Sequence, residues 1–225
     1  MREEVSMQHI ILLGDSIFDN AAYIQQGEPD VIQQLRRKLS EGWKATLKAI
    51  DGSRTDHVEG QLEELPKDAS FLIVSVGGND ALDHINIFNE SAKSAAQVLQ
   101  RLADIQEEFQ RSYHSMLRAV LSYCLPTAIC SIYYPRFLDP VIQRMAVVAL
   151  SIFNDCIIGE AFTFGLPLID LRLICNEDKD YSNPIEPSVH GGEKINNAIL
   201  QVVKEFDSRS PKARTVVYTN GNKLE

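Results

Sequence analysis

The sequence predicts a three-layer α/β/α arrangement, an open sheet of about five parallel strands with helices on both faces. Three observations carry this. Short runs rich in Ile, Val and Leu alternate with longer stretches of helical period. The runs are apolar at consecutive positions, as strands covered by helices on both faces require. The repeating β-α order, with right-handed crossovers, makes a parallel sheet with helices on both sides.

The strand-like runs are His9 to Leu13, Thr46 to Ile50, Phe71 to Val76, Thr127 to Ile132 and Leu166 to Ile169. Between them, Val31, Leu35 and Leu39 recur at helical spacing. Val98, Leu102, Ile105, Phe109, Met116 and Val120 form an amphipathic stripe through the Ser94 to Ser122 stretch. Val141 to Phe164 is apolar nearly all round, so it is expected to be buried between the sheet and another helix. Gln143, Arg144, Asn154 and Asp155 interrupt it, which argues against a membrane span. Ile195, Ile199, Val202, Val203 and Phe206 mark a last helix after Gly191-Gly192. The whole chain, 1–225, reads as one domain with a core over about 8–206 and a polar tail over 207–225. Within that tail, Thr215 to Tyr218 has the composition of one short added edge strand.

Composition narrows the partners. Lys and Arg total 22 and Asp and Glu total 31, a net charge of −9. Nucleic acid and anionic membrane surfaces both select clustered basic residues, so neither is expected as a partner. Cys124, Cys130, Cys156 and Cys175 form no Cys-x-x-Cys and stand beside no histidine cluster, which reads as idle thiols in a reducing compartment. The first residues reach only a four-residue apolar run, Ile10 to Leu13, so the expected location is the cytoplasm. No Gly-x-Gly-x-x-Gly or P-loop is present, and neither a cofactor nor a metal is expected.

Open α/β sheets place their chemistry at the carboxyl ends of the strands. After the first run stands Gly14-Asp15-Ser16. After the second stands Asp51-Gly52-Ser53-Arg54, and after the third Gly77-Gly78-Asn79-Asp80. After the fifth come Asp170 and then Glu186-Pro187-Ser188-Val189-His190. Each group alone would also suit a plain turn or a helix cap. Together they gather nucleophile, donors and titratable groups where an active site belongs. Ser16 is the candidate nucleophile. Asn79 offers an amide donor to a developing oxyanion, Gly52 an unobstructed backbone N–H, and Arg54 a fixed positive charge.

These residues resemble the GDSL/SGNH hydrolase family over roughly Gln8 to Phe206. Gly14-Asp15-Ser16 matches its first block, and Gly77-Gly78-Asn79-Asp80 its third. The resemblance implies a three-layer α/β/α sandwich of the flavodoxin-like kind, Ser16 as nucleophile, Asn79 as oxyanion donor, and hydrolysis of small-molecule carboxylic esters or related acyl groups through an acyl-enzyme. The second-block glycine is matched by Gly52 or, with an offset, by Ser53 or Arg54. The fifth block usually reads Asp-x-x-His, but three before His190 stands Pro187. Aligning instead on Gly191 or Gly192 puts the histidine slot near Glu186. Both remain candidates: His190 for its pKa, Glu186 for its alignment. Two other functions fit less of the pattern. One is a non-catalytic binding protein on the same fold. The other is a metal-dependent phosphoesterase, for which the scattered histidines are a poor ligand set.

Overall fold

The computed structural model describes residues 8–206 and the short segment 217–218. Six parallel strands form one sheet: β1 (His9–Gly14), β2 (Lys44–Leu47), β3 (Phe71–Ser75), β4 (Thr127–Cys130), β5 (Leu168–Ile169) and an edge strand, Val217–Tyr218. Their order is β2-β1-β3-β4-β5 followed by the edge strand. The five expected strands are present, and the short strand expected in the tail pairs in parallel with β5. The second strand lies earlier than the Thr46 to Ile50 run. Lys48 and Ala49 both donate to the Leu12 carbonyl, which ends the regular ladder soon after Thr46.

Alternate strand residues feed two cores, as a pleated sheet covered on both faces requires. Ile10, Leu12, Phe71, Ile73 and Ala128 pack on one side against α1 (Val31–Lys38) and α7 (Val189–Glu205). Ile11, Leu13, Leu72, Val74 and Ile129 pack on the other against α2 (Val58–Leu62), α4 (Ala95–Leu121) and α5 (Pro140–Phe164). The remaining short helices are α3 (Gly78–Asp83) and α6 (Leu171–Ile174). A small antiparallel hairpin, β6 (Tyr181–Asn183) and β7 (Glu186–Pro187), leads into α7.

Element lengths create the site. The longest strands, of four to six residues, reach at most about 20 Å. The 27 residues of α4 and 25 of α5 reach about 40 Å each. Both helices therefore overhang the sheet. The N-terminal half of α5 projects past the strands' carboxyl ends, while Phe153, Cys156, Ile157 and Ala161 in its second half fill the core. This corrects the expectation of a helix buried all round. Val141, Ile142, Met145 and Val148 are exposed, because no strand reaches them. Cys130, Cys156 and Cys175 are buried free thiols, whereas Cys124 is exposed.

Candidate active site

The turn that carries Ser16 is made possible by one glycine. Gly14 ends β1 at φ +124°, and a Cβ there would overlap the Ser75 carbonyl of β3. Only glycine lets the chain turn that close. The next residue exploits the approach: Asp15 N–H donates to the Ser75 oxygen at 3.0 Å. Ser16 then sits, buried, at the floor of a pocket above the sheet.

The Ser16 hydroxyl donates to Glu186 Oε1 at 3.0 Å. The carboxylate arrives from the β6–β7 hairpin, which is held from several sides. Asn183 Oδ1 accepts the backbone N–H groups of Ile185 and Glu186 at 2.9 and 3.0 Å. The Tyr133 hydroxyl donates to the Ile185 carbonyl at 2.6 Å. Buried Asn20, four residues after the serine, donates to the Pro187 carbonyl at 3.1 Å and so ties the Ser16 loop to the hairpin. The second oxygen, Glu186 Oε2, is buried and accepts no hydrogen bond.

His190 is elsewhere. It opens α7, and its Nε2 faces Asp180 Oδ1 at 3.6 Å and Glu177 Oε2 at 3.9 Å. Gly191 lets the helix start this close to the Asp180 carbonyl, where a Cβ would overlap. The alternative that the structure brings to Ser16 is thus Glu186, and His190 does not line the pocket. Glu177, Asp180 and His190 are the described residues grouped closely enough to hold a metal ion. A cation already stands among them: Lys194 Nζ lies 2.8 Å from Asp180 Oδ2 and 3.1 Å from Glu177 Oε2.

Asn79, on α3, lines the same pocket as Ser16. Its amide donates to the Ser53 carbonyl at 2.9 Å. That bond uses one of two amide hydrogens and leaves the other for a ligand. Gly52 and Arg54, expected beside it, do not line the pocket. Asp51-Gly52 form a turn closed by Ser53 N–H on the Ile50 carbonyl, so Gly52 points to solvent. The Arg54 guanidinium pairs outward with Asp83 at 2.8 Å and lies 3.6 Å from Asp56. The second-block position adjoining Asn79 is therefore Ser53.

Two contributors escaped the sequence reading. Buried Gln61 brackets the end of β1: its Oε1 accepts from Gly14 N–H at 2.8 Å and its Nε2 donates to the Gly14 carbonyl at 2.8 Å and to Ser53 Oγ at 3.1 Å. No motif marks it, because it belongs to a five-residue helix with no role of its own. Asn183 stands three positions before Glu186, where the family pattern has its aspartate. The spacing was visible once Glu186 was placed in the histidine slot.

Electrostatically the pocket favours protonated carboxyls. Burial pushes Asp15 up from 3.8 to about 8, and the nearby Glu186 and Asp80 carboxylates push the same way. Burial raises Glu186 from 4.5 to about 7 against the opposing pull of the Ser16 hydrogen bond. Both side chains line the pocket, whose other walls are mainly apolar: Ile85, Phe88, Leu102, Ile105, Leu150 and Phe153 among them. It encloses about 1060 Å³ with its open mouth included.

Comparison with known proteins agrees with this architecture. Three solved structures show the same fold at low sequence identity. A lipase, Lip_vut3, from a goat rumen metagenome is 21% identical with a TM-score of 0.67, over 86% of this chain and 96% of that one. An extracellular lipase from Streptomyces rimosus is 16% identical with a TM-score of 0.63, over 86% and 98%. A lipolytic G-D-S-L family protein from Veillonella parvula is 13% identical with a TM-score of 0.64, over 89% and 100%. No curated protein sequence matches. The sequence pattern of the GDSL-like Lipase/Acylhydrolase family matches residues 12–198, from within β1 into α7 and across every site residue described above. The chain belongs to the GDSL-like lipase/acylhydrolase family.

Proposed function

We propose that this chain is a serine hydrolase of carboxylic esters or related acyl groups in which a glutamate, Glu186, takes the place of the usual histidine. The observation that carries the reading is the 3.0 Å hydrogen bond from Ser16 to Glu186 at the floor of an apolar pocket.

A serine hydroxyl needs a base to become a nucleophile. A carboxylate of ordinary pKa is a feeble one, but a value of about 7 matches the task at neutral pH. Glu186 takes the Ser16 proton as Oγ bonds to the acyl carbon. The tetrahedral oxyanion is met by the Ser16 N–H and the free amide hydrogen of Asn79. Collapse breaks the bond to the leaving group, to which protonated Glu186 returns the proton. Water then repeats the sequence on the acyl-enzyme, with Glu186 again as base. Asp15, neutral below about pH 8, keeps a second full negative charge away from both Glu186 and the oxyanion.

Labelling with a fluorophosphonate probe, followed by mapping of the modified residue, tests the reading. Modification of Ser16 is the expected result. An unlabelled Ser16 together with no turnover of short-chain p-nitrophenyl esters would instead favour a non-catalytic protein on a hydrolase fold.

A further inference from the structure

Three loops meet at the carboxyl ends of β1, β2 and β3, and one side chain joins them. The β1–β2 ladder stops at Leu12 and Leu47, because Lys48 and Ala49 both turn onto the Leu12 carbonyl. Gly14, two residues further along β1, still has Ser75 of β3 on one side, but β2 has left the other. Ile50 N–H reaches back to the Gly14 carbonyl at 3.1 Å, and Gln61 fills the rest of that edge. Its amide acts as the missing strand: Oε1 accepts the Gly14 N–H and Nε2 donates to the Gly14 carbonyl, each at 2.8 Å. The second Nε2 hydrogen goes to Ser53 Oγ at 3.1 Å, in the loop after β2. Ser53 in turn offers its carbonyl to the Asn79 amide at 2.9 Å, on α3 after β3. A continuous run of hydrogen bonds thus leads from Gly14, two residues before Ser16, through Gln61 and Ser53 to Asn79.

From this run we propose that Gln61 is a positioning residue, which fixes the distance between the Ser16 N–H and the Asn79 amide, the two donors assigned to the oxyanion. Packing alone does not ask for a glutamine here. Gln61 is 5% exposed and spends both amide hydrogens and an acceptor on loop atoms. A buried amide is costly unless it is bonded, and Val58 and Leu62 already anchor α2 in the core. Gln61 does not line the pocket, so it acts through the residues it holds. Oxyanion donors work because they are preorganised where charge develops. A small displacement of either one therefore lowers turnover and leaves ground-state binding alone. The catalytic consequence rests on the hydrolase reading, whereas the link from Gln61 to Asn79 can be read without turnover.

The test is Gln61→Met, close in length and without the amide, with Ser53→Ala beside it. Ser53→Ala cuts the arm from Gln61 to Ser53 and keeps both the Gly14 bracket and the Ser53 carbonyl. On a soluble short-chain ester, Gln61→Met is expected to lower kcat by about tenfold or more and to leave KM within about twofold. Ser53→Ala is expected to lower kcat by about threefold, the worth of one neutral hydrogen bond, again at constant KM. With Asn79→Ala already in place, Gln61→Met should cost less than about threefold more, because residues that act through one network are not additive. In the isotope-labelled full chain, Gln61→Met should also move the side-chain amide resonances of Asn79. Lower thermal stability with kcat unchanged would make Gln61 a structural brace and overturn the proposal. So would a raised KM at constant kcat, a fully multiplicative loss in the double variant, or Asn79 resonances that stay in place. If Gln61→Met does not fold, unchanged kcat and unmoved Asn79 resonances in Ser53→Ala overturn it instead. A wild type without ester turnover would strike the hydrolase reading alone, and the resonances would still decide whether Gln61 sets the Asn79 amide.

Discussion

Ser16 and Glu186 stand 170 positions apart in the chain, yet the serine hydroxyl donates to the carboxylate at 3.0 Å. The contact is imposed by neighbours on both sides. Asn20 bonds the Pro187 carbonyl and the Val31 N–H, and Asn183 fixes the backbone of Glu186 itself. Glu186→Gln preserves the shape and removes the proposed base, so kcat for a soluble ester should fall by about 10²–10⁴-fold. Ser16→Ala should abolish the covalent path and leave the thermal midpoint nearly unchanged. His190→Ala should stay within a few-fold of wild type, since its ring faces Asp180 and Glu177. A His190 variant as damaged as the serine variant would return the base to the histidine.

The base also sets the pH profile. In the proposed mechanism Glu186 acts when ionised, and burial places its pKa at about 7 in place of 4.5. Rate should therefore rise as pH increases through about 7, with little activity near pH 5. An ordinary exposed carboxylate would give a rising limb more than two units lower. Measurement of kcat/KM between pH 4 and 9 decides this, because that ratio reports the free enzyme.

Asn79→Ala tests the proposed oxyanion donor. The expected loss is about 10²-fold in kcat, with KM much less affected, because the interaction strengthens only as charge develops on the substrate oxygen. The lost bond to the Ser53 carbonyl should lower stability by about 1 kcal/mol. A drop in KM-dependent binding with kcat intact would place Asn79 in ground-state recognition instead.

Most of the fold was legible because it rests on local pattern. Ile10 to Leu13 and Phe71 to Val74 are apolar at every position, and both became central strands. Ser16 and Asn79 were legible for the same reason, since each directly follows such a strand. Glu186 was harder to place. It sits on a hairpin whose strands are three and two residues long, too short for any periodicity, and only the following glycines marked it. Arg54 was misplaced because the Asp51-Gly52 turn rotates its side chain toward Asp83, a choice made by geometry beyond the motif. For α5, periodicity reported apolarity but not the length of strand beneath it. Whether its first half was covered depended on how far the sheet extended.

Nothing in the proposed chemistry passes through a metal. The Glu177, Asp180 and His190 group is served by the Lys194 ammonium and lies outside the pocket lining. EDTA at millimolar concentration should leave ester turnover unchanged. A loss that added zinc or manganese restores would revive the phosphoesterase reading, and phosphate monoesters would then be the substrates to assay.

Asp15→Asn separates the two buried carboxyls of the pocket. Asp15 titrates at about 8 in the folded chain against an ordinary value of 3.8. Its folded pKa lies above its unfolded one, so between these values the folded state holds a proton that the unfolded state has lost. Stability is then greatest below pH 3.8 and declines as pH rises to about 8. A tenfold change in proton affinity is worth roughly 1.4 kcal/mol, so relief of this burden should amount to a few kcal/mol at most after local relaxation. The asparagine keeps an oxygen for the Ile17 N–H, which Asp15 Oδ1 accepts at 3.1 Å. Asp15→Asn should therefore raise the thermal midpoint at pH 8–9 and leave it almost unchanged near pH 4. Activity should respond in parallel. Ionisation of Asp15 places a charge beside the developing oxyanion, so wild-type turnover should fall above about pH 8, and the variant should lose that alkaline limb while keeping the rise near 7. If the midpoint gains equally at both pH values, Asp15 ionises as an ordinary carboxylate and its protonated state plays no part in the site.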